Sequence, residues 1–258
     1  MVSTPDLQTN LAQAEALIAQ AATAGARLVL LPEYFCFMGF KDTDKVALRE
    51  TPGAGPIQAC LAQAARRHSV WVIGGTLPLV AAEPDRVLNS TLVFDAQGAQ
   101  VARYDKIHLF SFSKGDDQFD EARTISPGSS PQTFDSPAGR VGLSICYDLR
   151  FPELYRSLGD CALMVVPSAF TYTTGRAHWE LLLRTRAIEN QCYVLAAAQG
   201  GRHPTGRRTW GHSMLIDPWG EIVAELDEGP GVVRGQIDPA RIVEVRTSLP
   251  ALRHRVLG

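Results

Sequence analysis

Short apolar runs and segments of helical spacing take turns along this chain, and that alternation restricts it to a layered α/β architecture. Leu7, Leu11, Ala14, Leu17, Ile18 and Ala21 recur at helical intervals over residues 7–24, and Gly25 closes the segment. Arg27 to Leu31 follow as a short apolar strand that ends at Pro32-Glu33. The plan repeats with a helix over residues 57–67, a strand at 70–73 and then Gly74-Gly75. Strands at 88–95 and 99–104 flank Asp95-Ala-Gln-Gly98, a hairpin signal. Residues 105–131, rich in Ser, Gly and Asp, read as a long loop of the kind that carries function in compact domains. Strand 140–145, helix 152–159, strand 162–167, helix 176–190 and strand 192–198 continue the series. A second hairpin turns at Asp217-Pro-Trp-Gly220, and a last helix covers 239–247. Hairpins among alternating elements imply a mixed sheet. No repeat or linker divides the chain, which reads as one domain over residues 1–258.

The start breaks the plan. Each helix should follow a strand, yet the chain opens on the helix that begins near Asp6. Met1-Val-Ser-Thr-Pro5 looks like the exit from a strand whose body is missing, so the expectation is a sheet without its first member or a natural start further upstream.

Composition excludes several classes of function. At 45% hydrophobic, 20% charged and a formal net charge of -2, the chain is ordinary for a globular protein and has no electrostatic reason to hold nucleic acid or an anionic membrane. No apolar run approaches the ~20 residues that cross a bilayer. Pro5, Asp6 and Asn10 interrupt anything resembling a signal peptide. Five widely spaced cysteines without a CxxC argue against a disulfide framework or a zinc cluster and fit a reducing cytoplasm.

The chemistry concentrates in Val141-Gly-Leu-Ser-Ile-Cys146-Tyr-Asp-Leu-Arg-Phe-Pro-Glu153. Pro152 and Glu153 suit the first turn of a helix, so Cys146 falls at a strand-to-helix corner among free backbone N–H groups. Those surroundings are expected to favour a thiolate. The plainer alternative is a small buried residue. Glu33 and Lys106 share the same context, each just past the end of a strand, where α/β sheets assemble their sites. Together they would supply a base, an electrostatic stabiliser and a nucleophile. Singly, Glu33 is also a plausible helix cap and Lys106 a surface lysine. A Cys–His pair using His108, His178 or His212 is the rival scheme.

Three motifs in order, Leu30-Leu-Pro-Glu33, Tyr104-Asp-Lys106-Ile-His-Leu109 and Ser144-Ile-Cys146-Tyr-Asp-Leu-Arg150-Phe-Pro-Glu153, resemble those of the nitrilase, or carbon–nitrogen hydrolase, superfamily. The resemblance extends through Thr174–Glu180, Arg184–Tyr193, Gly211–Met214 and Asp217–Gly220, nearly end to end. It implies an αββα sandwich with mixed sheets and helices on the outer faces. It also implies hydrolysis of non-peptide C–N bonds with a cysteine nucleophile and neither metal nor cofactor. By the same resemblance Glu33 takes the thiol proton and Cys146 attacks an amide carbonyl. The Lys106 ammonium and the Tyr147 backbone N–H then hold the oxyanion, each such donor being worth ~3–4 kcal/mol. Ammonia leaves a thioester that water, activated by Glu33, hydrolyses to an acid. A glutamate in the long loop, Glu121, supports the lysine and substrate in that family; its alternative here is a solvated carboxylate.

The Tyr-Asp after Cys146 is unlike the Trp-Glu of true nitrilases and resembles the branch of ω-amidases and deaminated glutathione amidases, whose substrates bear a carboxylate. Arg150 matches the position that binds this carboxylate, with a salt bridge to Asp148 or Glu153 as its alternative. N-carbamoyl amino acid hydrolysis and a catalytically silent binding protein stay open as other readings. Helices 152–159 and 176–190 carry apolar residues such as Leu154, Leu158, Leu181, Leu182 and Leu183 on more than one face, which, with the pairing of related proteins, points to a homodimer or larger assembly.

Overall fold

The structure, a computed structural model, describes residues 1–114 and 117–257. Its first helix, α1 (Leu7–Thr23), starts where Asp6 accepts the Thr9 amide at 2.7 Å and buries Leu11, Ala14, Ile18 and Ala21 along one face. Strand β1 (Leu28–Leu30) follows, then a single turn α2 (Asp44–Ala47) and α3 (Pro56–His68). Both oxygens of the Glu50 carboxylate accept the first free amides of α3, from Ile57 at 2.6 Å and Gln58 at 3.1 Å. This places an anion at the positive end of the helix. Strands β2 (Trp71–Ile73), β3 (Leu77–Val80), β4 (Val87–Phe94) and β5 (Gln100–Asp105) complete one sheet, ordered β1-β2-β4-β3, with β5 also on β4. Only β1 and β2 run parallel in it.

Residues 105–131 are not a structureless loop. Strands β6 (Ser111–Lys114) and β7 (Asp117–Asp120) pair as a small hairpin that sets Phe112 opposite Phe119, and residues 121–123 form one 3-10 turn. The Ser and Asp residues that suggested a loop sit between alternating aromatic positions, too few for a period to show. Residues 115 and 116 lie outside the described residues.

The second sheet is built from β8 (Thr133–Ser136), β9 (Gly139–Leu143), β10 (Leu163–Ser168) and β11 (Tyr193–Ala198). A small hairpin of β12 (Gly200–Arg202) and β13 (Arg208–Trp210) precedes β14 (Ser213–Ile216) and β15 (Ile222–Leu226), which extend the sheet to the order β15-β14-β11-β10-β9-β8. Helices α4 (Pro152–Ser157) and α5 (Tyr172–Asn190) cover its outer face, and α6 (Pro239–Ser248) closes the chain's regular structure.

Two apolar clusters make this an αββα sandwich. Leu61, Ala64, Val72, Leu92 and Phe94 belong to the layer between the first sheet and its helices. Ile73, Val93 and Tyr104 of the first sheet join Val141, Leu143, Val166 and Val194 of the second, together with Leu154, Trp179 and Leu183 from α4 and α5. Full burial of each such aliphatic side chain contributes about 1.5–3 kcal/mol. Leu154, Leu158 and Leu183 are therefore spent on the core; Leu181 and Ile188 are the apolar residues that α5 leaves exposed.

Met1–Thr4 are not in a strand. Met1 and Ser3 are buried, and the Met1 carbonyl accepts the Gly200 amide at 3.0 Å. Strand β1 is consequently an edge, and beside it lies a cavity of about 650 Å³ lined by Leu28–Leu31, by Leu17 and Ala21 of α1, and by Val232, Val233 and Ile237.

Candidate active site

Three strand ends converge between the sheets. Glu33 lies three residues past β1, Lys106 directly follows β5, and Cys146 lies three residues past β9. The approach of β1's exit to β2's exit depends on Gly75. Its φ is +51°, and a Cβ there would fall 2.1 Å from the Pro32 carbonyl oxygen, so no larger residue fits beneath the turn that carries Glu33. From the far side, Gln199 holds the same turn, donating at 3.1 Å to the Glu33 carbonyl and at 2.6 Å to Ser3.

Lys106 is wholly buried, and its ammonium lies 3.0 Å from Glu33 Oε1 and 2.8 Å from Glu121 Oε2. Burial alone would discharge the amine, but Glu121 and Glu33 outweigh it and hold its pKa well above the ordinary lysine value. In return, burial of Glu121 is outweighed by Lys106, which keeps that carboxylate below its usual range. Glu121 also accepts from the Tyr34 hydroxyl at 3.0 Å and the Phe110 amide at 2.8 Å. Glu33 is oriented by Asn89, whose amide nitrogen donates at 2.9 Å, and by the Ala169 amide, at 2.9 Å from Oε2. The trio therefore holds two carboxylates and one ammonium.

Cys146 opens a 3-10 turn, residues 146–150, at φ +48°. A side chain other than glycine in that region is strained by the order of 1 kcal/mol and is lifted clear of the strand. The thiolate expected from the corner does not form. Burial and then the negative charge of Glu33 push the thiol pKa well up, against the smaller opposing pull of Lys106. The side chain is thus held as a thiol, with the Glu33 carboxyl group in the same cleft. The Tyr147 amide, second in the turn, has no acceptor among the described residues.

Asp148 braces this corner. Wholly buried, it accepts from the Ile145 amide at 2.9 Å, the Tyr104 hydroxyl at 2.7 Å, the His108 amide at 3.0 Å and the His108 ring at 2.7 Å. His108 also stacks on Phe151 with centroids 3.7 Å apart. The carboxylate thus ties the loop after Lys106 to the turn of Cys146. Arg150 pairs with neither Asp148 nor Glu153. Its guanidinium lies near the His178 ring nitrogen at 3.3 Å and over the rings of Tyr147 and Phe170.

The cleft over Cys146 is lined by Glu33, Glu121, Tyr147, Arg150 and Phe170, together with Lys45, Phe119 and Arg207. No histidine lines it among the described residues: the ring of His108 meets Asp148, that of His178 meets Arg150 and that of His212 meets Glu225. In space, although not in sequence, His212 meets Glu225 and Asp227 with ligating atoms within 4.8 Å, but this group is on the surface and not in the cleft. The cleft volume of about 30 Å³ has room for about one water.

Asn89, Tyr34, Lys45 and Arg207 were not among the residues singled out in the sequence, and Asp148 was named only as a possible partner of Arg150. Asn89 carried a signal: a polar amide within the apolar strand Val87-Leu-Asn-Ser-Thr-Leu needs a buried partner. The others sit in segments whose composition gives no such contrast.

The carbon–nitrogen hydrolase family model matches residues 1–247. Among curated relatives, a deaminated glutathione amidase of Synechocystis is 44% identical over 99% of this chain and 96% of its own length. Human omega-amidase NIT2 is 40% identical over 95% of this chain and 89% of its own length. The crystal structure of Saccharomyces cerevisiae Nit3, a member of branch 10 of the nitrilase superfamily, superposes with a TM-score of 0.88 at 32% identity, covering 99% of this chain and 93% of that one.

Proposed function

Since the chain belongs to the carbon–nitrogen hydrolase family and is an amidase, we propose that it hydrolyses a small carboxylate-bearing amide of the deaminated glutathione type through a thioester on Cys146. The observation that carries this reading is the buried ammonium of Lys106 between two carboxylates, beside a thiol whose proton has a base to go to. Glu33 takes the thiol proton as sulfur attacks the carbonyl carbon. The oxyanion forms against the Lys106 ammonium and the unpaired Tyr147 amide, donors already oriented and shielded from water. Glu33 returns the proton to the leaving nitrogen as the C–N bond breaks, which releases ammonia or an amine. Water then attacks the thioester, Glu33 takes its proton, and the acid departs as the proton passes to sulfur. Glu121 keeps Lys106 charged and in place throughout.

Arg150 supplies the fork that holds a substrate carboxylate, since no carboxylate of the protein pairs with it among the described residues. Omega-amidase activity on 2-oxo acid amides is the second reading, favoured by the 40% identity to a relative of that name. All five cysteines are free, which suits a reducing cytoplasm. The exposed Leu181 and Ile188 on α5 are the surface through which two copies would pair, as light scattering on wild type and Leu181→Glu would report.

The test is product release across deaminated glutathione, 2-oxoglutaramate, N-carbamoyl amino acids, neutral aliphatic amides and nitriles. Carboxylate-bearing amides should turn over fastest. Preference for nitriles would refute the substrate class, and no turnover on any of them would leave a silent binding protein.

A further inference from the structure

Strand β4 sets three polar side chains in a row, Asn89, Ser90 and Thr91, and all three are buried. Two of them have plain structural partners. Thr91 donates at 2.6 Å to the Gly75 carbonyl, and Ser90 donates to its cross-strand neighbour Asp105. Asn89 is different, because half of its side chain is unsatisfied. Its amide nitrogen donates to Glu33 Oε1, which fixes the orientation of the group, since a carboxylate oxygen only accepts. Its Oδ1 then has no partner among the described residues. A buried carbonyl without a donor costs stability, and Leu, of about the same size, would suit an apolar strand better. A polar residue kept at such a cost points to a role outside folding.

That role follows from how the donors divide on Glu33. Oε1 accepts from Asn89 at 2.9 Å and from the Lys106 ammonium at 3.0 Å, which uses both of its lone pairs. Oε2 accepts from the Ala169 amide at 2.9 Å and from no other donor among the described residues, so one lone pair stays open. Ala169 lines the cleft together with Cys146, and Asn89 does not. The open lone pair therefore belongs to the oxygen whose partner faces the cleft. The Asn89 carbonyl also accepts the Lys106 amide at 3.0 Å, so one residue sets the spacing of base and stabiliser.

We propose that Asn89 is a positioning residue for the reaction: by closing Glu33 Oε1 together with Lys106, it leaves Oε2 as the single oxygen that receives the Cys146 proton. This rests on the amidase reading above and deepens it. The S–H bond breaks as its electron pair forms the C–S bond, and the proton goes to Oε2. The carbonyl π pair moves to oxygen. It then returns as the C–N pair leaves with nitrogen, which takes the proton from Oε2. Without the Asn89 donor, Oε1 regains a free lone pair, the carboxyl group can turn about its last bond, and its charged form loses a hydrogen bond.

Three variants test this with deaminated glutathione as substrate. Asn89→Leu removes the donor and the unpaired oxygen together, so it should melt within a few degrees of wild type yet lose about 10- to 100-fold in kcat with KM little changed. The acid limb of its kcat/KM profile should move to higher pH by about one unit, since the base loses a donor to its charged form. Asn89→Asp can donate to Oε1 only while protonated, so its kcat/KM should fall with rising pH over the range in which wild type holds steady. Ser90→Ala, next on the strand and turned to its other face, should leave the acid limb in place. The rate of Cys146 alkylation by iodoacetamide, located by peptide mass spectrometry, reads the same proton transfer without hydrolysis and should slow in Asn89→Leu. If far-UV circular dichroism shows Asn89→Leu unfolded, the nearly isosteric Asn89→Asp decides. An unmoved acid limb or full kcat in Asn89→Leu, an Asn89→Asp profile parallel to wild type, or alkylation indifferent to Asn89 would overturn the assignment. A wild type that hydrolyses no amide, with alkylation that still depends on Asn89, would refute the amidase reading and leave the assignment standing.

Discussion

Replacing Asp148 by asparagine tests how the two halves of the site are held together. One carboxylate oxygen accepts from the His108 amide and the His108 ring, and the other from the Ile145 amide and the Tyr104 hydroxyl. An asparagine keeps one of these oxygens and turns the other into an NH2 group that faces two donors. Two hydrogen bonds to a charged acceptor are lost, each worth about 1.5–3 kcal/mol, so the cost is roughly 3–6 kcal/mol. That is a large part of a typical stability of ~5–15 kcal/mol. With a urea slope of about 3 kcal/mol/M, the unfolding midpoint should fall by about 1–2 M at unchanged slope. Turnover should fall as well, because the Cys146 turn and the loop after Lys106 lose their common anchor. Tyr104→Phe should cost less in the Asp148→Asn protein than in wild type, since part of the interaction is already gone. A midpoint shift below about 0.3 M, with near-normal turnover, would refute this account of the corner.

Lys106→Ala leaves two buried carboxylates facing each other, so it should cost about 3–5 kcal/mol of stability in urea unfolding as well as at least a hundredfold in turnover; a stable, inactive protein would show that the pair is weakly coupled. Arg150→Ala should raise KM for anionic amides more than for neutral ones, and equal effects would make Arg150 structural. His203 is buried between the Ser3 carbonyl and the Thr209 hydroxyl, and burial lowers its pKa below the ordinary 6.5. Between the lowered and the ordinary value the unfolded chain binds more protons than the folded one, so this part of the stability rises with pH and is lost as pH falls through that window. Melting temperatures at pH 5 and 7 should therefore differ more in wild type than in His203→Asn, and parallel losses would contradict it.

Much of the sandwich was legible because its elements carry strong periods. The apolar stripe of α1 and the uninterrupted run of β10 matched their expected spans within one residue at each end. The Cys146 corner was legible too, from Pro152 and Glu153, but its charge state was not. Turn geometry alone favours a thiolate; burial of the sulfur, and then the charge of Glu33 brought in from a distant strand end, reverse that. The small hairpins at 111–120 and 200–210 were not legible, since their strands are three or four residues long and packed by side chains from elsewhere. Lys45 and Arg207 stand in polar segments where a cation gives no signal until the fold sets them beside Cys146.

The central claim is that Cys146 becomes acylated during turnover. Intact-protein and peptide mass spectrometry on enzyme quenched with a slow amide should find one acyl group, localised to the peptide that contains Cys146 and absent from Cys146→Ala. Glu33→Gln should strongly slow its formation, because the thiol is protonated at rest. An adduct on Cys36 or Cys192, or undiminished turnover in Cys146→Ala, would contradict the account.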